Sequence, residues 1–201
     1  MFLVTGTRAG GSRWFDAGAA SAERIAAGQW WRAVTALTLH ADLLHLAGNV
    51  VAALVFVSAV GRWLGGGLAA ILILASATTA NLLTAAVHRT AFVSVGSSTA
   101  IFASLGLIAG LQVARRLQLR ASRGTAWVPL GAGLGLYAML GVGAGADTYA
   151  HLFGLGIGAV VGFGAARAKV RAPRAALQAL LGATALAIVT SCWALALRMS
   201  R

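Results

Sequence analysis

Six runs of apolar residues, each close to the length of a membrane-spanning helix, constrain this chain more than anything else in it. They lie near residues 43–61, 66–87, 97–114, 126–145, 148–166 and 175–197. A helix rises ~1.5 Å per residue, so ~20 residues cross a hydrocarbon layer ~30 Å thick. Within that layer backbone N–H and C=O groups find no water, and a helix satisfies them inside its own segment. Composition agrees. The chain of 201 residues is 59% hydrophobic and 10% charged, whereas soluble domains are roughly 45–50% apolar. The sequence predicts an all-α, polytopic membrane protein with about six transmembrane helices. Connections are short, so neighbouring helices should run antiparallel. Abundant Gly and Ala suit close helix packing in lipid.

Three parts are expected. Residues 1–33 form an external segment with Arg8, Arg13, Arg24 and Arg32, and Met1–Val4 is too short for the apolar core of a signal peptide. Residues 34–169 form the membrane core. Residues 170–201 hold a hinge at Val170–Arg174, which contains Pro173, and an additional C-terminal transmembrane helix.

Lys and Arg outnumber Asp and Glu by 16 to 4. In a soluble protein that excess suggests nucleic acid. Here the cations gather in short loops, so the bilayer is the expected partner and nucleic acid is not. Arg62 follows segment one, Arg115, Arg116, Arg120 and Arg123 follow segment three, and Arg167, Lys169, Arg171 and Arg174 follow segment five. The positive-inside rule makes these loops cytoplasmic. Asp16, Glu23, Asp42 and Asp147 then fall outside, and segments one, three and five run from outside to inside. The Ala/Gly/Arg-rich composition is compatible with a bacterial plasma membrane. The four His are scattered and Cys192 is alone, so neither a metal site nor another cofactor is expected.

Polar residues inside apolar runs are costly and are functional candidates by default. His45, Asn49, Ser98 and His151 stand out, and the Arg pattern puts all four in the outer half of the bilayer. A serine hydroxyl needs a general base to act as a nucleophile, and His151 is the one His in segments two to six, with His88 assigned to an outer loop. Ser98, Phe102, Gly106 and Gly110 share one stripe of segment three, and His151, Gly154, Gly158 and Gly162 one stripe of segment five. Two small-residue stripes let the helices approach closely enough for a Ser–His hydrogen bond. Phe102, one turn below Ser98, is placed to pack on the imidazole. His45 and Asn49, four apart, face the same way and with the Ser98 N–H are placed to donate to an oxyanion. Ser97 and Ser104 read as ordinary helix serines bonded back to the preceding turn. From spacing alone, His151 as a packing residue, or His45 and Asn49 as a tie between helices, remain open alternatives.

Four blocks in order, from about residue 28 to 166, carry a resemblance. They are Gln29-Trp30-Trp31-Arg32; His40, His45 and Asn49 as HxxxxHxxxN; Gly96-Ser97-Ser98-Thr99 with Ala100-Ile101-Phe102; and Ala150-His151-Leu152-Phe153-Gly154 on to Gly158, as AHxxGxxxG. Together they resemble the rhomboid family of intramembrane serine proteases. The resemblance implies a rhomboid-like helix bundle and a cofactor-free, ATP-independent endopeptidase cutting transmembrane protein substrates near the outer membrane face. It implies Ser98 as nucleophile, His151 as general base and acid, His45 and Asn49 as oxyanion donors, and Gly96, Phe102, Gly154 and Gly158 as supporting residues. Trp31 and Arg32 would be structural or interfacial. The chain departs from the pattern in three ways. Thr99 stands where the family has Gly after the nucleophile. Gln29 stands where an acid often precedes Trp-Arg. Segments one to five correspond to the family's second to sixth helices, so no counterpart of its first helix is expected, the N-terminus faces outside, and segment six is an addition. Two rival readings remain at this level: a catalytically inactive rhomboid-like protein that binds membrane helices, and a small transporter. Transport sites more naturally sit near the midplane on broken helices, whereas this cluster lies high and contains no acid.

Overall fold

The structure, a computed structural model, describes residues 2–88, 92–120, 122–143 and 147–200. Six helices carry the six apolar segments: α1 (Leu43–Leu64), α2 (Gly66–His88), α3 (Ser98–Gln118), α4 (Val128–Leu140), α5 (Thr148–Arg167) and α6 (Ala175–Met199). Local chemistry sets their ends. The Asp42 carboxylate accepts from the His45 N–H and opens α1, and Asp147 accepts from the Ala150 N–H and opens α5. Gly65, at φ 80°, ends α1. Pro129 sits in the first turn of α4, where its missing N–H costs nothing.

Among the described residues, five helices are long and apolar enough to cross a membrane, and α4 is shorter at 13 residues. That is ~20 Å of helix. Within the described part of the expected run over 126–145, this helix covers Val128–Leu140: Trp127 precedes it and Gly141 caps it. His88, expected in a loop, is the last residue of α2 and stacks on Phe92 at 4.3 Å between centroids.

α3 is the hub. It packs on α1, α2, α4 and α5, most extensively on α5. Glycine makes that contact a backbone contact. A Cβ added to Gly106 would lie 2.1 Å from the Leu155 carbonyl oxygen, one on Gly158 would lie 2.2 Å from that of Ala103, and one on Gly162 would lie 2.2 Å from that of Leu107. Gly154, Gly158 and Gly162 face Thr99, Ala103 and Leu107 in turn, and Gly106 and Gly110 face Leu155 and Ala159 in turn, so α3 and α5 are parallel. The two stripes read from sequence are the faces that meet.

Helices α1 and α4 are held less tightly. α1 packs on α2 and α3 through Val60 and Leu64, and most of its length faces lipid. α6, expected as an addition, lies against α2 and the N-terminal region. The Gln178 amide donates to the Leu64 carbonyl and accepts from the Leu68 N–H, clasping the α1–α2 turn. Near the other end of α6, Trp193 packs on Phe15 and Trp31 and donates to the Thr38 hydroxyl at 3.0 Å.

The N-terminal region is built on Arg32. Its buried guanidinium donates to the carbonyls of Ala19 and Asp16 and to the Gln29 side chain. Burial, with Arg24 nearby, lowers its pKa to about 10 against a partial offset from Asp16, so it stays charged at neutral pH. Trp31 and Arg32 are structural here, as expected. A two-stranded ribbon joins this region to the core: β1 (Ala20–Ser21) pairs antiparallel with β2 (Val93–Ser94), just ahead of α3.

Because α1, α3 and α5 are parallel, Arg62, Arg115, Arg116 and Arg167 come to one end of the bundle. His45, Ser98 and His151 come to the other. Valine at Gly106 or Gly158 should force α3 and α5 apart and lower stability by ~1–3 kcal/mol. Valine at Gly156, with nothing within 4 Å of its built Cβ, should not. Thermal unfolding in detergent reads the contrast, and equal losses at all three positions would rule out the close approach.

Candidate active site

Ser98 begins α3 and His151 lies in the first turn of α5. The close contact brings Ser98 Oγ to 2.8 Å from His151 Nε2. On the far side of the ring, His151 Nδ1 lies 2.9 Å from the Gly141 carbonyl oxygen. A carbonyl only accepts, so Nδ1 carries the proton and Nε2 offers its lone pair. The Ser98 hydroxyl therefore donates to Nε2. The Phe102 ring stacks on the imidazole at 4.6 Å with 30° between planes. One hydrogen bond and one aromatic face thus hold a buried base in a fixed tautomer and orientation. The carboxylate of a triad is replaced by a backbone carbonyl.

Gly96, two residues before Ser98, has φ 130°, a region open mainly to glycine. A Cβ there would lie 2.7 Å from the His45 ring, so the imidazole occupies the space a side chain would fill. The Gly96 N–H donates to the Ala36 carbonyl at 3.0 Å and pins this turn to the N-terminal region. Asn49 is 7% exposed, and among the described residues its Nδ2 has no hydrogen-bond partner. Leaving a buried amide donor unpaired costs ~1–3 kcal/mol.

Ser98, His151, His45 and Asn49 all line one cavity of about 900 Å³. Its polar part is bounded by the chain around Asp42 and by Val93–Val95. Its apolar part runs between α1 and α4, past Phe56, Leu136 and Leu140. Thr99 is not among its lining residues; it is buried against α5, where a Cβ on Gly154 would meet its carbonyl oxygen at 2.7 Å. The residue that departs from the family pattern therefore leaves the cavity clear. Gly154 and Gly158 shape the helix contact and lie outside the cavity lining.

Three features were not legible beforehand. Gly141 acts through its carbonyl, which carries no side-chain signature. Ser97, expected to bond back within its helix, instead pairs its hydroxyl with His40 Nε2 at 3.1 Å, because it caps α3 rather than lying inside it. Ser104 does bond back, to the Ala100 carbonyl. His40 in turn meets His45 edge to face at 5.4 Å, so a chain of contacts leads from the surface loop to the cavity.

Two outcomes follow. Valine at Gly141 would drive its Cβ toward the Tyr137 and Phe102 rings, 2.7 and 3.0 Å away. That moves the carbonyl holding His151, and a displacement near 1 Å should slow fluorophosphonate labelling of Ser98 by ~10²-fold. Unchanged labelling would show that the carbonyl does not orient the base. For His40, burial and then the charge of His45 lower the pKa from 6.5, against a hydrogen bond with the Thr38 backbone. The fold favours neutral His40, so its contribution is complete above pH 6.5 and is lost as pH falls through that value toward the folded pKa. Thermal stability should decline from about pH 7.5 to about pH 5.5, and less so in His40→Gln; identical profiles would remove His40 from the account.

The family model described as the rhomboid domain matches residues 27–168. Rhomboid protease GluP of Bacillus subtilis (strain 168) is 33% identical over 108 residues, which are 54% of this chain and 21% of that protein. Putative rhomboid protease YdcA of the same strain is 34% identical over 83 residues, 41% of this chain and 42% of that protein. The chain spans less than half the length of either relative. No solved structure matches it. With the family match covering more than half of its residues and five helices fit to cross a bilayer, the chain is a multi-pass integral membrane protein that belongs to the rhomboid family.

Proposed function

We propose that the protein is an intramembrane serine endopeptidase that cuts transmembrane protein substrates near the outer membrane face through a Ser98–His151 dyad. The observation that carries this reading is the 2.8 Å contact between Ser98 Oγ and His151 Nε2 at the floor of an open cavity. The names of the two relatives as proteases support it at the level of the family.

In this reading Ser98 Oγ attacks the scissile carbonyl while His151 Nε2 takes its proton. The imidazolium keeps its Nδ1–H on the Gly141 carbonyl and then protonates the leaving amine. Water entering the cavity hydrolyses the acyl-enzyme by the same steps in reverse order. The negative oxygen of each tetrahedral intermediate accepts hydrogen bonds from Asn49 Nδ2, from the His45 ring and from the Ser98 N–H. Donors of this kind are worth ~3–4 kcal/mol each when held in place. The unpaired Asn49 amide fits that role: its partner exists only during the reaction. The positive end of α3 adds to the same field. The apolar stretch between α1 and α4 suits part of a substrate helix, and the polar end suits an unwound peptide. The basic loops at the opposite end support a dyad toward the outer face by the positive-inside rule.

The test is cleavage of a membrane-anchored substrate in proteoliposomes. Wild type should cut, and Ser98→Ala and His151→Ala should each lose at least ~10³-fold. Asn49→Ala should retain residual activity, down by ~10²–10³-fold. A wild-type protein that neither cleaves nor labels with a fluorophosphonate would favour the reading as an inactive helix-binding protein.

A further inference from the structure

A second, smaller cavity of about 230 Å³ lies between α3 and α4 toward the basic end of the bundle. Its walls are apolar: Leu105, Ile108 and Ala109 from α3, and Ala132 and Leu136 from α4. Two polar side chains break the pattern, Gln112 and Arg116, one helical turn apart on α3. Among the described residues, Gln112 hydrogen-bonds to no other side chain or backbone group. A polar residue in a membrane helix without a protein partner asks for a ligand. Arg116 spends one N–H on the Thr125 carbonyl and keeps the rest of its fork. It has no counter-ion nearby. Of the chain's four acids, Asp16 and Glu23 lie in the N-terminal region, and Asp42 and Asp147 cap α1 and α5 at the opposite end.

We propose that this groove holds one acyl chain of an anionic phospholipid from the cytoplasmic leaflet, with its phosphate on Arg116 and its glycerol ester on Gln112. The vertical order of the groups fits. In a phospholipid the phosphate lies outermost, the ester carbonyls follow, and the hydrocarbon lies deepest. In the groove Arg116 lies outermost, Gln112 follows ~6 Å deeper, and only apolar side chains lie beyond. The Gln112 amide donates to an ester carbonyl, and the Arg116 guanidinium donates to phosphate in the geometry it favours. The cavity is below the ~300–1,000 Å³ of a typical small-molecule site, so it suits part of one chain and not a compact ligand. Arg115 and Arg120, at the same end of α3, and Arg167, at the end of α5, add positive charge to this end of the bundle. Trp127, half-exposed beside the start of α4, sits where interfacial tryptophans do.

The site bears on the other cavity. Leu105 and Leu136 line both, and α4 ends at Gly141, whose carbonyl holds His151. A lipid chain between α3 and α4 therefore sets the seat of the helix that orients the base.

The experiment measures lipid binding directly, so it stands whatever becomes of the protease reading. The full chain is titrated in detergent with phosphatidylglycerol or phosphatidylcholine and examined by native mass spectrometry. Wild type should retain one phosphatidylglycerol in preference to phosphatidylcholine. Arg116→Gln should weaken that retention about fivefold, the worth of one cation near an anionic surface, and Gln112→Leu should weaken it without changing charge. Ala132→Leu, at a lipid-exposed position, should block the groove and abolish retention, whereas Arg171→Gln at the same end should leave it intact. Equal retention of the two lipids, equal losses from Arg116→Gln and Arg171→Gln, or full retention by Ala132→Leu would each overturn the proposal.

Discussion

Everything at the end of this bundle that carries Ser98 and His151 depends on two helices touching backbone to backbone. Without a hydrophobic force between helices in lipid, α3 and α5 are joined by van der Waals contact, and that contact is only as close as their smallest side chains allow. Gly106, Gly110, Gly158 and Gly162 remove the side chains along the seam. The consequence is felt about two to three turns away, where Ser98 and His151 lie within a hydrogen bond of each other. A seam wider by a single methyl layer would leave the same two residues at the same depth and out of reach.

That seam also explains how the site manages without a buried carboxylate. An acid beside His151 would carry a desolvation cost that a backbone carbonyl avoids. α4 stops short: its 13 residues end at Leu140, and the carbonyl of the next residue, Gly141, lies within reach of the imidazole. The shortness of α4 is thus tied to the orientation of the base, and Phe102 completes the restraint from within α3.

Much of this was legible in the sequence because lipid makes hydrophobicity and small-residue spacing unusually informative. Five segments became helices within a few residues of their expected limits, and the stripes of α3 and α5 became the contacting faces. What escaped was backbone chemistry and loop geometry. Nothing in the side chains announces that Gly141 will offer its carbonyl, or that the turn at Gly96 will lift Ser97 out of the helix and toward His40. The fourth apolar run looked continuous because hydropathy does not distinguish helix from apolar turn, and Gly141 and Gly143 beyond Leu140 favour the turn. The docking of Trp193 beside Gly18 was equally hidden, since the partners lie at opposite ends of the chain.

The bundle is unevenly consolidated, and the unevenness has a direction. α2, α3, α5 and α6 with the Arg32-centred N-terminal region form one mutually packed body, clasped by Gln178 at one end and by Trp193 toward the other. α1 and α4 border the active-site cavity with few neighbours of their own, and the cavity passes between them. Ser98 and His151 sit on the consolidated body, so their mutual distance is insulated from movement at the border. The other polar groups around the cavity are divided differently: His45 and Asn49 ride on α1, and the carbonyl that holds His151 rides at the end of α4. A displacement of either border helix would leave Ser98 and His151 in contact while moving His45 and Asn49 or releasing the hydrogen bond that fixes the His151 tautomer. The fold therefore separates the Ser98–His151 contact, which the glycine seam secures, from the arrangement of its surroundings, which depends on how α1 and α4 are seated.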